Sequence, residues 1–289
     1  MTSRTYDLVF LTPCFCAGAD QTHAELRPPA IRGQLRWWFR CLGGSAAEER
    51  AIFGGVHGDN PAASIFSVRT KVQPGTGERD WYREEKIPQQ GMQPKTYLLG
   101  FFCGRTRRLQ PGAALPPGTK ATVCLSFRRP PPASLERAVR AFFSVGALGF
   151  RATRAAGAFA TSQHSLTANR WESLSAELSQ AGFTVALLKP EFRDWVQLIH
   201  HAGSLLKTRL RSSDHDGLGI SAGRDGTKAN ALGSAEPRQT SALHFRPVRV
   251  DDKLRLAVIE APHSRILGEA AQRMHGGRGP ILKLAGLVQ

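Results

Sequence analysis

The sequence predicts an α+β fold made of two βαββαβ units with inserted loops. Three observations predict it. Runs with apolar alternation are interleaved with runs whose apolar residues recur at three- and four-residue spacing. The second half gives the order βαββαβ directly. The chain has 289 residues, room for two domains at about 150 residues each, with cores that need no disulfide or metal staple.

The elements follow in order. Residues 5–11 read as a strand, with Tyr6, Leu8 and Phe10 on one face. A helix over 29–42 begins at Pro28–Pro29 and stops at Gly43–Gly44. A strand over 63–72 follows, then a polar inserted loop over 73–94, then strands over 95–102 and 119–128. In the last, Ala121, Val123, Leu125 and Phe127 alternate with polar residues. Ser134 is placed to cap a helix over 135–146, and a short strand lies near 157–162. The second half reads as a strand over 183–188, a helix over 191–206, a mobile loop over 207–238, and strands over 241–250 and 254–260 turning at Asp251–Asp252. A helix over 263–275 and a strand over 281–288 complete it. Both halves thus fit a ferredoxin-like (RRM-like) plan, with domains expected over 1–165 and 166–289.

Charge narrows the function. The formal net charge is +16, with 39 basic against 23 acidic residues, and 30 of the basic residues are arginine. That excess points to a polyanionic partner, nucleic acid above all, because guanidinium matches phosphate with two parallel donors. The excess is uneven: residues 1–60 are net neutral and residues 61–130 carry +8. No run of roughly 18 apolar residues exists to make a transmembrane helix, and no secretory leader is legible at the start. Five cysteines without a framework spacing suit a reducing compartment, so a cytoplasmic location is expected.

Two segments carry candidate sites. On the 29–42 helix, Ile31, Leu35, Trp38, Phe39 and Leu42 fall on one arc of about 100°, and Arg32, Arg36 and Arg40 fall together beside it. A guanidinium stripe at this spacing tracks phosphates; it also suits pairing with Glu25, Glu48 and Glu49. Trp37 lies on neither arc and is placed to stack on a base. The second segment, GALGFRATRAAGAF at 146–159, interleaves Gly146, Gly149 and Gly157 with Arg151 and Arg154. Glycines let backbone approach a phosphate chain, and the arginines add charge-assisted bonds. The alternative is a tight turn with exposed arginines. The segment is neither a Walker A loop nor a dinucleotide fingerprint.

Other groups rank lower. Cys14 and Cys16 form half a zinc site without a partner pair, and His200 and His201 diverge on a helix. Asp214, His215 and Asp216 sit in a Gly/Ser-rich loop too loose for a preorganised site. His23 is a general-base candidate with no second catalytic group beside it. The segment LLGFFCGR at 98–105 lacks the spacing of an aromatic RNA-recognition strand, so base stacking on a sheet face is not expected. No metal and no cofactor are expected.

The run TPCFCAGADQTHAELRPPAIRGQLRWWFRCLGG, followed by Phe53-Gly54-Gly55, resembles the RAMP-superfamily subunits of type III-B CRISPR effectors, the Cmr complex, and among them the first. GALGFRATRAAGAF resembles the superfamily's glycine-rich loop, departing from it at Ala155 and Ala156. Residues 237–247 (PRQTSALHFRP) resemble a further segment of that subunit. The resemblance implies two ferredoxin-like domains and an antiviral ribonucleoprotein with neighbouring RAMP subunits. It places the subunit near the 3′ end of the guide RNA, aiding target RNA capture, without being the slicing nuclease. Arg27, Arg32, Arg36, Trp37, Arg40, Gly149, Arg151, Arg154 and Gly157 are the expected RNA-binding residues, with no catalytic residue. The alternatives are a RAMP-superfamily endoribonuclease using His23 or His215, and a structural cap whose arginines meet acidic protein neighbours.

Overall fold

A computed structural model of the protein describes residues 2–20, 22–56, 61–83, 85–87, 94–99, 111–210, 232, 240–267 and 280–288. The fold is α+β with antiparallel sheets. In the first half come β1 (Thr2–Phe10), β2 (Cys14–Phe15), α1 (Pro28–Cys41), α2 (Ala46–Phe53), β3 (Phe66–Val72), α3 (Pro94–Leu99), β4 (Ala114–Leu115), β5 (Lys120–Phe127), α4 (Ala133–Val145) and β6 (Phe159–Thr161). In the second come α5 (Ala168–Gln180), β7 (Thr184–Phe192), α6 (Trp195–Leu205), β8 (Leu243–Val250), β9 (Lys253–Glu260), α7 (His263–Leu267) and α8 (Ile281–Leu284).

The larger sheet has the order β3-β5-β1-β6, each neighbour antiparallel. Alternation dictates its buried face: Tyr6, Leu8 and Phe10 of β1 and Ala121, Val123, Leu125 and Phe127 of β5 all point inward. Against that face lie α1, through Ile31, Leu35, Trp38 and Phe39, and α4, through Leu135, Val139, Phe142 and Phe143. The predicted boundaries of α1 hold within one residue; Arg27 is its N-cap and Pro28–Pro29 form its first turn. The cap of α4 is Pro132, not Ser134, whose hydroxyl instead donates to Glu48 Oε1 at 3.3 Å.

The smaller sheet has the order β7-β9-β8. Its hairpin turns at Asp251 and Asp252, both at positive φ (47° and 59°), which matches the strands' right-handed twist. One hydrophobic cluster joins the α1/α4 layer to α5, Phe183, Val248, Val250 and Ile259; a second joins α6 to Trp81, Leu98, Phe245 and Leu256. The outer edge of β8 is covered by two parallel bridges, Arg154 to Phe245 and Leu166 to Val250.

Four expectations change. Residues 95–99 of the predicted 95–102 strand are helical, as α3; residues 100–102 lie outside the described residues. The reason is packing: neighbouring Leu98 and Leu99 are both buried, which a strand facing one core cannot achieve, and α3 seats on α6 at Gly203, where a Cβ would lie 2.0 Å from Pro94 O. The predicted 281–288 strand is instead α8 and a turn ending at Gly286 (φ 64°). Here too adjacent Ile281 and Leu282 are buried, and the buried carboxylate of Glu260 accepts from both their N–H groups at 2.9 Å while meeting His263 Nε2 at 2.5 Å. The smaller sheet therefore has three strands among the described residues. Residues 207–210 extend α6 as a π-helical turn rather than a loop; of the 207–238 loop, only they and Leu232 are described, and of the 263–275 helix only 263–267. Finally, α2 and α5 were not expected. Ser45 and Glu48 form a reciprocal capping box on α2, and Thr167 caps α5, which buries Trp171, Leu174 and Leu178 at helical spacing.

Candidate nucleic-acid interface

The arginine stripe of α1 opens onto a groove of about 1030 Å³ between α1, α2 and β3. Among the described residues its lining includes Arg32, Arg36, Arg40, Arg50 and Arg128, against one acid, Glu49. Glu49 is shared: Arg40 holds it with two bonds of 2.6 Å, and Arg36 Nε lies 3.3 Å away. These bonds, Arg40's first, hold the Glu49 carboxyl below its usual range and raise Arg40 above its own. Arg32 is half-buried, donates to Phe53 O and lies over the Phe66 ring at 5.7 Å; burial, then repulsion from Arg36, lowers its pKa. Arg36 lies over Phe53 at 5.3 Å. Each arginine of the stripe thus ties α1 to α2 or β3 and also faces the groove. Arg50 and Arg128, which sequence reasoning missed, come from α2 and the end of β5. The capping box before Phe53-Gly54-Gly55 was the legible signal for α2 and its Arg50.

Arg27 is exposed at the start of α1, on the Cys16 side. Trp37 is not the exposed stacking surface expected. It is half-buried, stacked on His244 at 4.7 Å and 24° and edge-on to Trp38 at 5.1 Å. His244 in turn is held neutral: burial, and then the charge of Arg246, push its pKa well down. Its Nδ1 accepts from Arg246 Nη2 at 2.6 Å, which leaves Nε2 to donate to Ser241 O at 3.1 Å.

The glycine-rich loop is braced at both ends. Phe150 N donates to Phe15 O at 2.8 Å and Leu148 N to Gly157 O at 2.9 Å. A Cβ at Gly157 (φ 64°) would lie 1.8 Å from Leu148 O, and one at Gly149 (φ 81°) 2.5 Å from Phe15 O, so both positions require glycine. Arg151 also has positive φ (62°) and lies half-exposed over the Phe150 ring at 5.8 Å. Arg154 corrects the expectation of a phosphate contact: it is 6% exposed, and its guanidinium donates to Ser241 Oγ and Leu243 O at 3.2 Å and to Leu232 O. Arg246 is buried nearby, bonded to Ala152 O and pulled by burial down to about 9. Ala155 and Ala156, the departures from the superfamily pattern, are fully buried, Ala155 at φ 68°.

His23 has a partner after all. Asp20 Oδ2 lies 2.5 Å from its Nδ1, in a turn where Asp20 Oδ1 accepts from the Thr22 and His23 N–H groups. The His23 bond comes first among the causes that lower Asp20. Cys14 and Cys16 are free thiols. Asp214, His215 and Asp216 lie outside the described residues. Among the described residues no three His, Cys, Asp or Glu side chains converge, and no helix is long and apolar enough to cross a membrane.

Comparison with known proteins places this geometry. The crystal structure of apo Cmr1 from Pyrococcus furiosus superposes with a TM-score of 0.59 at 16% identity, over 90% of this chain and 88% of that one. This chain's fold is similar to that of Cmr1. A chain of a type III-B Cmr-beta complex, bound to cognate target RNA and AMPPnP in the presence of ssDNA, gives a TM-score of 0.58 at 10% identity over 93% and 98% of the two chains. In sequence, the CRISPR system Cmr subunit Cmr1-2 of Pyrococcus furiosus is 41% identical over 44 residues, 15% of this chain and 24% of that relative. The aligned stretch thus spans about a quarter of the curated relative's length. No protein-family model matches. Trp37, His244 and Arg246 link α1, which bears the arginine stripe, to the glycine-rich loop.

Proposed function

We propose that the chain is a non-catalytic, RNA-binding subunit of a cytoplasmic type III-B CRISPR effector, acting beside other RAMP subunits near the 3′ end of the guide RNA and aiding target RNA capture in antiviral defence. One observation carries it: among the described residues, five arginines from α1, α2 and the position after β5 line one groove with a single carboxylate. Such a groove binds phosphate without reading sequence. In this reading β3-β5-β1-β6 with α1 and α4 is one ferredoxin-like unit, and β7-β9-β8 with α6 is a second lacking its last strand, with domains divided near residue 165. Arg27 and Arg151 extend the phosphate path, and Gly149 and Gly157 shape the loop beside it.

Single-stranded RNA binding by the purified chain tests this. Arg40→Ala and Arg128→Ala should each weaken binding across all sequences and lower the slope of log K against log salt by about 0.7. An unchanged slope sinks the groove as the binding surface. The Asp20–His23 pair is the observation favouring an endoribonuclease, but it is fully local and exposed. Incubating labelled guide-like RNA with the chain, with and without EDTA, should show binding and no cleavage.

A further inference from the structure

The exposed large apolar side chains among the described residues are Val56, Tyr82 and Phe150. Val56 lines the basic groove. The other two are connected through Phe15 and Trp81. Phe15 and Phe150 are paired across an antiparallel bridge, which puts their side chains on the same face. The Phe15 ring lies 6.0 Å from Trp81, and Trp81 lies 5.9 Å edge-on to Tyr82. Phe15 and Trp81 are buried, whereas Phe150 is 52% and Tyr82 48% exposed. Two buried rings thus support two open ones.

The support is braced by hydrogen bonds. Phe150 stands on the braced loop between Gly149 and the positive-φ Arg151. Tyr82 stands on the described part of the 73–94 insertion, which is pinned where Glu78 accepts from Trp195 Nε1 at 2.9 Å and pairs with Lys86. The surroundings are cationic: Arg151 lies over the Phe150 ring, and Arg79 and Arg83 are exposed beside Tyr82, with Asp80 bonded to Arg83 at 3.1 Å. An apolar protein partner would want the rings without the guanidiniums. Unpaired bases want both, a π face to stack on and a cation for the phosphate that follows.

We infer that Phe150 and Tyr82 form a stacking platform for unpaired bases of single-stranded RNA, on the glycine-rich loop rather than on a sheet face. The inference rests on the RNA-binding reading and adds where the bases go. The test uses the purified full chain and a short oligouridylate carrying one fluorescent aminopurine. Phe150→Ala should weaken binding roughly fivefold or more and abolish the fluorescence quenching, with the salt slope unchanged. Phe150→Leu, which keeps apolar area but no π face, should lose as much, and Phe150→Trp should bind like the native chain. Native-like affinity in Phe150→Leu or Phe150→Ala overturns the platform while leaving the groove intact, provided Arg40→Ala still lowers the salt slope. Retained RNA binding by Phe150→Ala with loss from the assembled effector identifies a protein contact and also overturns it. No RNA binding by the native chain overturns both readings.

Discussion

Arg154 behaves as a structural cation. Its guanidinium satisfies two carbonyls and a hydroxyl in the interior, where unmet acceptors are costly. Arg154→Ala should therefore destabilise the fold by about 3 kcal/mol and leave the salt slope of RNA binding unchanged. Urea unfolding and a salt titration read the two separately. Gly157 acts at the same scale without charge. Gly157→Ala should cost about 3 kcal/mol, because positive φ and a close approach to Leu148 O must both be relieved. Sequence reasoning grouped Arg151 and Arg154 by spacing. Only the fold separates them, since β8 arrives from nearly ninety residues away to cover one and not the other.

Among elements, α1 and α2 meet over one carboxylate. Glu49 subtracts charge from the groove and fastens α2 to α1. Glu49→Gln should therefore tighten RNA binding severalfold and steepen its salt dependence, while costing about 1 kcal/mol of stability. Weaker binding in that variant would mean the arginines need Glu49 for their orientation more than they suffer from its charge. Elements with strong local signals were legible: alternation in β5 and the two arcs of α1 survive in the structure. So did the Glu49 pairing, as one of two readings of the stripe. What escaped were the capped helices α2 and α5, whose Ser45 and Thr167 signals were passed over, and what was misread was short apolar segments. Leu98–Leu99 and Ile281–Leu282 have too few residues to distinguish the two periods, and their contacts with α6 and Glu260 decide them.

The whole molecule should lose stability in mild acid through one buried and two half-buried imidazoles. Burial lowers the pKa of His244, and also those of His164 and His201. Below pH 6.5 the unfolded chain takes up protons on these groups and the folded chain does not. Stability is therefore full above 6.5 and falls as pH drops towards the lowered folded values, by up to about 1.4 kcal/mol per pH unit for the buried His244 and by less for the half-buried His164 and His201, where solvent screens the effect. Thermal unfolding between pH 7 and 5 should show this slope, and His244→Gln should make it shallower. A slope unchanged by that substitution would place the acid sensitivity elsewhere. The same histidine stacks on Trp37 and accepts from Arg246, so acid should loosen the link between the groove and the glycine-rich loop before the sheets themselves give way.

Glu260 bears on how this protein can be trimmed. A shortened chain ending after Leu267 keeps every strand among the described residues, the basic groove and the glycine-rich loop, and by sequence it looks like a harmless minimal version. It would also remove the two amide donors of α8 together with buried Ile281 and Leu282, leaving Glu260 with His263 as its remaining side-chain partner among the described residues, beside newly opened apolar surface. The tail is therefore a plug for an internal anion, and clipping it should give an aggregating product unless Glu260 is changed to an apolar residue at the same time.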